Sequence, residues 1–198
     1  MPQLKGFMFP RSATGKSSII PNPPWHYSGE ILAIEYKTNI DEIAKLLPEP
    51  LELSEENPDT VSVIFADFQS CSDSFEELLD PVRSQYKECF FAIRCQYQKK
   101  QYARCVYIWV NQDFAMIRGH HQGYPKKLGS VYMTRPVNIG KAGPKLAPGG
   151  RFGATLSASD RRLLEAKFTI TAPSNHAGFV FSYPMLHHRY LPSITGDG

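Results

Sequence analysis

No stretch of apolar residues in this 198-residue chain approaches the length that spans a bilayer, so no membrane helix is expected. No block of one charge sign stands out either. Net charge is only +3 and the charges are dispersed, which argues against a nucleic-acid partner. The residues from Met1 to Arg11 contain no apolar run of signal-peptide size. The four cysteines, Cys71, Cys89, Cys95 and Cys105, lack paired metal-type spacing. Buried reduced thiols in a cytosolic protein are the reading they support, over disulfides or zinc.

What is present fits a folded domain. Hydrophobic residues make up 42% and charged residues 21%, enough for a core and against global disorder. With 16 prolines, 14 glycines, 10 tyrosines and 12 phenylalanines, strands joined by many turns are favoured over a helical bundle.

Along the chain, Met1 to Pro24 reads as an irregular lead-in. Ile31 to Tyr36 has strand spacing. Thr38 to Leu47 switches to helical spacing, with Thr38 or Asn39 as cap and Pro48 as stop. Thr60 to Phe68 is β-rich, and Gln69 to Ser84 reads as a loop with a helical turn near Phe75 to Leu79. Tyr86 to Tyr97 and Tyr102 to Asn111 predict a hairpin turning at Lys99 and Lys100. A short helix is expected over Asp113 to Arg118, then a strand over Lys127 to Val137. Phe152 to Ser157 and Leu163 to Thr171 predict a second hairpin across Ser159-Asp160. The expected fold is one α+β domain, 1–198, of curved, mainly antiparallel sheets with few short helices.

Three site motifs are weak. Gly15-Lys16-Ser17 has Pro10 where a phosphate loop needs its first glycine, so it reads as a solvated turn. His120-His121 and His187-His188, read as extended, would point each ring to an opposite face, which does not chelate a metal. No Gly-x-Ser-x-Gly elbow supports a hydrolase triad.

Gln122-Gly123-Tyr124-Pro125-Lys126-Lys127-Leu128-Gly129 differs from these. Two lysines follow a Tyr-Pro corner just before a strand, so one side chain can point inward and the other toward water. A lysine amine held in an apolar interior tends to lose its charge. From composition alone, two solvated turn lysines would still be the commoner outcome.

The segment Tyr124 to Gly129 resembles the signature of the acetoacetate decarboxylase family. Tyr36-Lys37-Thr38, Leu47-Pro48-Glu49-Pro50-Leu51, Tyr86-x-Glu88, Gly150 to Leu156 and Pro192-Ser193-Ile194 resemble its other landmarks in the same order. The resemblance implies a barrel-like fold, homo-oligomeric assembly and a lyase that needs neither metal nor organic cofactor. It implies that Lys126 is a Schiff-base nucleophile toward a small keto acid, with Lys127 as its neighbour. Such an amine must be free, whereas an ordinary lysine, with a pKa near 10.4, is almost wholly charged at neutral pH. Activation by desolvation or a nearby cation is the general route known for this family. Glu88 matches the family's active-site carboxylate, for substrate positioning or proton transfer. Tyr86, on the same strand face, Gln122 and Lys127 are candidates to bind substrate, with packing and loop bonding as the alternative roles of Tyr86 and Gln122.

Gly29 stands where acetoacetate-type members carry an arginine that holds the substrate carboxylate, and His120-His121 precede Gln122. With Tyr86, Glu88, Gln122 and Lys126, this combination resembles the branch that handles pyruvate-type 2-keto acids by aldol condensation and dehydration. The family also continues past Pro-Ser-Ile into further strands. Three functions therefore stand: a decarboxylase-type lyase, an aldolase-dehydratase using the same lysine, and a non-catalytic small-molecule binding domain.

Overall fold

A computed structural model describes residues 3–176 and 178–196. Met1 and Pro2 of the lead-in, and Asp197-Gly198 at the end, lie outside the described residues. The chain opens with a turn-rich segment and enters β1 (Trp25–Lys37), α1 (Ile40–Ala44), β2 (Glu52–Leu53) and β3 (Thr60–Ser72). Two short 3-10 turns then lead to β4 (Gln85–Tyr97) and β5 (Lys100–Val110). α2 (Asp113–Gln122), β6 (Lys126–Leu128), β7 (Ser130–Met133), β8 (Arg151–Ala158) and β9 (Arg161–Thr169) complete the regular elements.

The larger sheet runs β1-β3-β4-β5-β6, with β2 also paired to β4, and the smaller runs β7-β8-β9. Every pairing is antiparallel except β5 with β6, which α2 connects. The architecture is the α+β fold of curved, mainly antiparallel sheets. Among the described residues the sheets do not close into a barrel, because β1 and β6 end the larger sheet on opposite sides.

Three apolar clusters hold these layers. One face of the larger sheet buries Ile64, Tyr86, Phe90, Ala92, Ile108 and Val110 under α2, with Ile20 from the lead-in and Phe179 from the C-terminal segment. The other face packs Val63, Phe65 and Cys89 against Val131, Ala154 and Leu156 of the smaller sheet. α1 seals Ile43 over Val61 and Ile93. All four cysteines are buried and free. Burial pushes the Cys89 thiol up to about 12 and the Cys95 thiol up to about 11, so both stay protonated at neutral pH.

Several local expectations are corrected. The helix after β1 is capped by Asn39, whose Oδ1 accepts from the Asp41 N–H at 2.8 Å, but it spans only Ile40–Ala44 and tightens into turns through Leu47. The first hairpin turns at Gln98 and Lys99, with φ 50° and 63°, so Lys100 begins β5. α2 runs a full turn beyond Arg118, which puts His120 and His121 on a helix and not on a strand. The strand expected over Lys127 to Val137 is divided at Gly129. There the chain leaves one sheet for the other, and an added Cβ would stand 3.1 Å from the Ser157 carbonyl and from Trp109.

Candidate active site

Lys126 owes its position to the end of α2. Gly123 adopts the left-handed conformation, with φ 94°, that terminates the helix, and the Tyr124 N–H donates to the Gly119 carbonyl at 2.9 Å. His120 Nε2 lies 2.7 Å from the Lys126 carbonyl and ties the last helical turn to β6. β6 pairs in parallel with β5, Lys126 opposite Ile108. Strand alternation then sends Lys126 into the same core as Ile108, and Lys127 to the other face.

The Lys126 side chain is 8% exposed as a residue, and its Nζ donates to Glu88 Oε2 at 2.9 Å. Glu88 reaches this point from β4, where it is buried between Ala66 and Val110 on the neighbouring strands. The amine is therefore not in a purely apolar hole: a buried carboxylate meets it directly, close enough to pass a proton. The ring centroids of Tyr86 and Tyr124 lie 5.5 and 5.7 Å from the same Nζ. Burial, reinforced by the Glu88 charge, pushes the Tyr86 phenol well above its ordinary range, so it is held as an O–H donor. Burial does the same to Tyr124.

The sequence reading missed Arg118. It is 2% exposed, and its guanidinium carbon lies 5.0 to 5.7 Å from the ring centroids of Trp25, Tyr27, Tyr86 and Phe114. Its Nη2 donates to Ser70 Oγ at 3.1 Å. No carboxylate among the described residues pairs with it. A buried guanidinium has five N–H donors, and the Ser70 and Tyr86 hydroxyls beside it do not use all of them. Arg118 reaches this cluster from α2, beside the Trp25 and Tyr27 rings of the first strand. Its only sequence signal was helical: Arg118 and Gln122 are four apart and share a face. That pattern was invisible while the helix was expected to end at Arg118.

Gln122 is exposed, and its side chain lies against the Tyr27 phenol at the border of this cluster. The structure thus gathers Lys126, Glu88, Tyr86 and Arg118, with Gln122 at the edge. It does not bring Lys127 to them. Lys127 is exposed, and its Nζ lies 5.6 Å from the Trp109 ring centroid on the opposite face. The lead-in also contributes, since Phe7 packs edge-on against Trp25 and His121.

The remaining motifs stay outside. Lys16 is exposed in a turn that Ser18 anchors, its Oγ donating to the Ile20 carbonyl at 2.7 Å. Among the described residues no three His, Cys, Asp or Glu side chains gather as a metal site.

The larger sheet thus carries a buried lysine–carboxylate pair, with a protonated tyrosine and a buried guanidinium beside it. The acetoacetate decarboxylase family model matches residues 9–198, and the chain belongs to that family. It is an enzyme of the lyase type. The chain is similar to the solved enduracididine biosynthesis enzyme MppR in complex with pyruvate. Identity is 37% over 98% of this chain and 75% of that one, with a TM-score of 0.91. MppR complexed with the condensation product of pyruvate and imidazole 4-carboxaldehyde matches at the same identity and TM-score, over 98% and 74% of the two chains. An acetoacetate decarboxylase-like enzyme from Sphingomonas wittichii RW1 shares the fold at 24% identity, over 96% and 74%, with a TM-score of 0.86. No curated protein matches.

Proposed function

We propose that this enzyme condenses pyruvate, or a closely related 2-keto acid, with an aldehyde through a Schiff base on Lys126, and then removes water. The observation that carries the reading is the buried contact of 2.9 Å between the Lys126 amine and the Glu88 carboxylate. The 37% identity to a protein crystallised with pyruvate and with a pyruvate–aldehyde condensation product favours this chemistry over others of the family.

In the proposed sequence, Glu88 accepts a proton and frees the Lys126 lone pair, which attacks the C2 carbonyl carbon of the keto acid. The carbinolamine loses its oxygen as water and leaves a protonated imine. That cation is an electron sink, so a C3 proton departs and the enamine forms. The enamine carbon attacks the aldehyde carbon, a C–C bond forms, and the aldehyde oxygen takes a proton. Loss of this hydroxyl as water, with a second C3 proton, gives a conjugated imine. Attack of water on the imine carbon then releases the unsaturated 2-keto acid and the free amine. Glu88 carries protons at each stage, and the Tyr86 hydroxyl donates to the departing or developing oxygen. Arg118 holds the substrate carboxylate, with Gln122 at the rim. Neither metal nor organic cofactor enters these steps.

Decarboxylation of a β-keto acid uses the same imine to accept the electrons released with carbon dioxide. The family match keeps this as the second reading. In either case we place the enzyme in the cytosol, as a single domain that self-associates. Four buried free thiols support the compartment, and among the described residues no helix is long and apolar enough to cross a membrane.

Borohydride trapping with pyruvate, and separately with acetoacetate, tests the proposal by mass spectrometry of the Lys126 peptide. Adduct with pyruvate in preference to acetoacetate supports the condensation reading, and the reverse supports decarboxylation. No adduct from folded protein with either would leave a binding domain without imine chemistry.

A further inference from the structure

The lysine site is closed. Lys126, Glu88, Tyr86 and Arg118 are each no more than 8% exposed, yet a keto acid and an aldehyde must reach the amine. Three pieces of chain close the core around them: α2, the C-terminal segment at Phe179 and Val180, and the lead-in at Phe7, Met8 and Ile20. α2 is continuous with the sheet and is tied to β6 by the His120 contact. The C-terminal segment is fixed to β5 by backbone bonds, Ala103 N–H to the Pro184 carbonyl at 3.0 Å and Leu186 N–H to the Ala103 carbonyl at 2.9 Å. The lead-in has no such tie. Its hydrogen bonds run within itself: Lys5 pairs with Ser12, the Met8 N–H donates to Ser18 Oγ at 3.0 Å, and the Ile19 N–H donates to the Phe9 carbonyl at 3.1 Å. Among the described residues, no hydrogen bond or ion pair joins residues 3–17 to any residue beyond Ile20.

Side-chain packing alone holds the lead-in over the site. Phe7 sits edge-on against Trp25 and His121, at ring-centroid distances of 5.6 and 5.1 Å, and Met8 packs beside it on the core. Trp25 in turn lies on the Arg118 guanidinium, and His121 adjoins Gln122. Phe7 therefore stands at the rim that Gln122 and the exposed Tyr27 mark. On its other side the lead-in stands clear of the body. A cavity of about 420 Å3 separates Gly6, Phe7 and Lys16 from Ser72, Glu76 and Arg83. That space is larger than a phenyl ring, so Phe7 has a place to go. Its walls carry charges, so the ring rests outside it, on its aromatic neighbours.

We propose that the lead-in is the gate of the lysine site and that Phe7 is its moving part. The ring leaves Trp25 and His121 for the cavity behind it, uncovers the rim at Gln122 and Tyr27, and returns once the reactants are in. α2 and the C-terminal segment stay in place, because moving either would break its bonds to the sheet. The gate supplies the entry route that the proposed condensation, on which it rests, requires. Its closure also excludes water from Lys126 while the imine exists, which protects that intermediate from early hydrolysis.

Acetic anhydride, applied to the full chain at neutral pH, is the probe. It acylates an amine wherever it can reach one, so labelling of Lys126 reads access and needs no imine. Failure of the condensation reading, which borohydride trapping detects, would leave this result unchanged. Lys127, exposed in the same peptide, is the internal reference, and tandem mass spectrometry separates the two. Phe7→Ala loses both edge-on contacts, so the ratio of Lys126 to Lys127 labelling is expected to rise about 10-fold. Phe7→Cys/His121→Cys bridged by dibromobimane holds the gate shut. The ratio is then expected to fall at least about 10-fold below that of the unbridged pair, because the open state is removed. The four native cysteines are buried, so they do not compete for the reagent, and their continued silence toward maleimide reports an intact fold. An unchanged ratio in the bridged protein overturns the proposal, as does a folded Phe7→Ala whose ratio matches wild type. A pair that does not bridge overturns it too, since Phe7 would not then rest on His121. Should Phe7→Ala unfold, the bridged protein decides.

Discussion

Gly119 and Lys126 share one space: a Cβ on Gly119 would stand 2.3 Å from Lys126 Cδ and 2.5 Å from Cε. The bare backbone of α2 is the floor on which the lysine stem lies on its way to Glu88. Glycine inside a helix ordinarily costs about 1 kcal/mol relative to alanine. Here that cost leaves room for the side chain that the proposed chemistry depends on.

Gly119→Ala is therefore expected to abolish or sharply slow imine trapping while leaving a folded protein. The contact involves the middle of the lysine chain, so the stem must move and carry its amine away from Glu88. Near-attack geometry is sensitive to displacements of about 1 Å, which can cost on the order of 100-fold. Borohydride trapping with pyruvate measures this, beside a thermal melt as the control for folding. Wild-type trapping in the alanine variant would show that the glycine is not needed to place the lysine.

Removing one member of the Lys126–Glu88 pair leaves the other buried and uncompensated. Lys126→Met should cost about 3–5 kcal/mol of stability, and adding Glu88→Gln should restore most of it. Urea unfolding of the wild type, both single variants and the double variant measures the coupling. Additive losses would mean that the two side chains do not interact as the structure places them.

Lys126 stood out in the sequence because the contiguous string Tyr124 to Gly129 resembles a family signature, whereas its turn residues alone favoured two solvated lysines. The Asn39 cap and the Ser159-Asp160 turn were legible from local chemistry, since each is decided within a few residues. Arg118 was not. Its value lies in four rings delivered by β1, β4 and α2, and no local pattern announces such a meeting. The register of β5 was hidden as well. The pairing of β4 with β5 shifts across Val106, so Ala103 and Cys105 share a core with Ile108 and Val110 although strict alternation would separate them. His187 entered the sequence reading only as half of a doubtful metal pair, whereas in the fold its ring is buried on Tyr124.

Arg118→Met separates substrate binding from imine chemistry. If the guanidinium holds the carboxylate of a keto acid, its loss should raise the KM for pyruvate by about 50- to 100-fold, the worth of a charge-assisted contact. Trapping of acetone, a ketone with no carboxylate, should change little. Steady-state kinetics with pyruvate beside borohydride trapping with acetone give the two readings. Equal losses for both ligands would assign Arg118 to holding Tyr86 and its neighbours in place.

Lys127→Ala is the matching control. Its amine lies over Trp109, away from Glu88, so both trapping and KM should stay near wild type. A large fall in trapping would mean that the second lysine acts on the first across the strand, and that the face assignment alone is a poor guide to its role.

The pH dependence of stability should carry the mark of His187. Burial first, then the positive charges of Arg104 and His188, depress its pKa to about 4 from an ordinary 6.5. The unfolded chain takes up this proton near 6.5, while the folded chain resists it until about 4. Between those values the unfolded state binds more protons. The contribution of His187 is thus intact above about 6.5 and is lost progressively as pH falls toward 4. His187→Phe keeps an aromatic ring against Tyr124 and removes the titration. Thermal melts of both proteins across this acid range should therefore show a steeper decline in Tm for the wild type. Parallel curves would mean that the ring is reached by solvent in the folded chain and takes its proton there as freely as in the unfolded one.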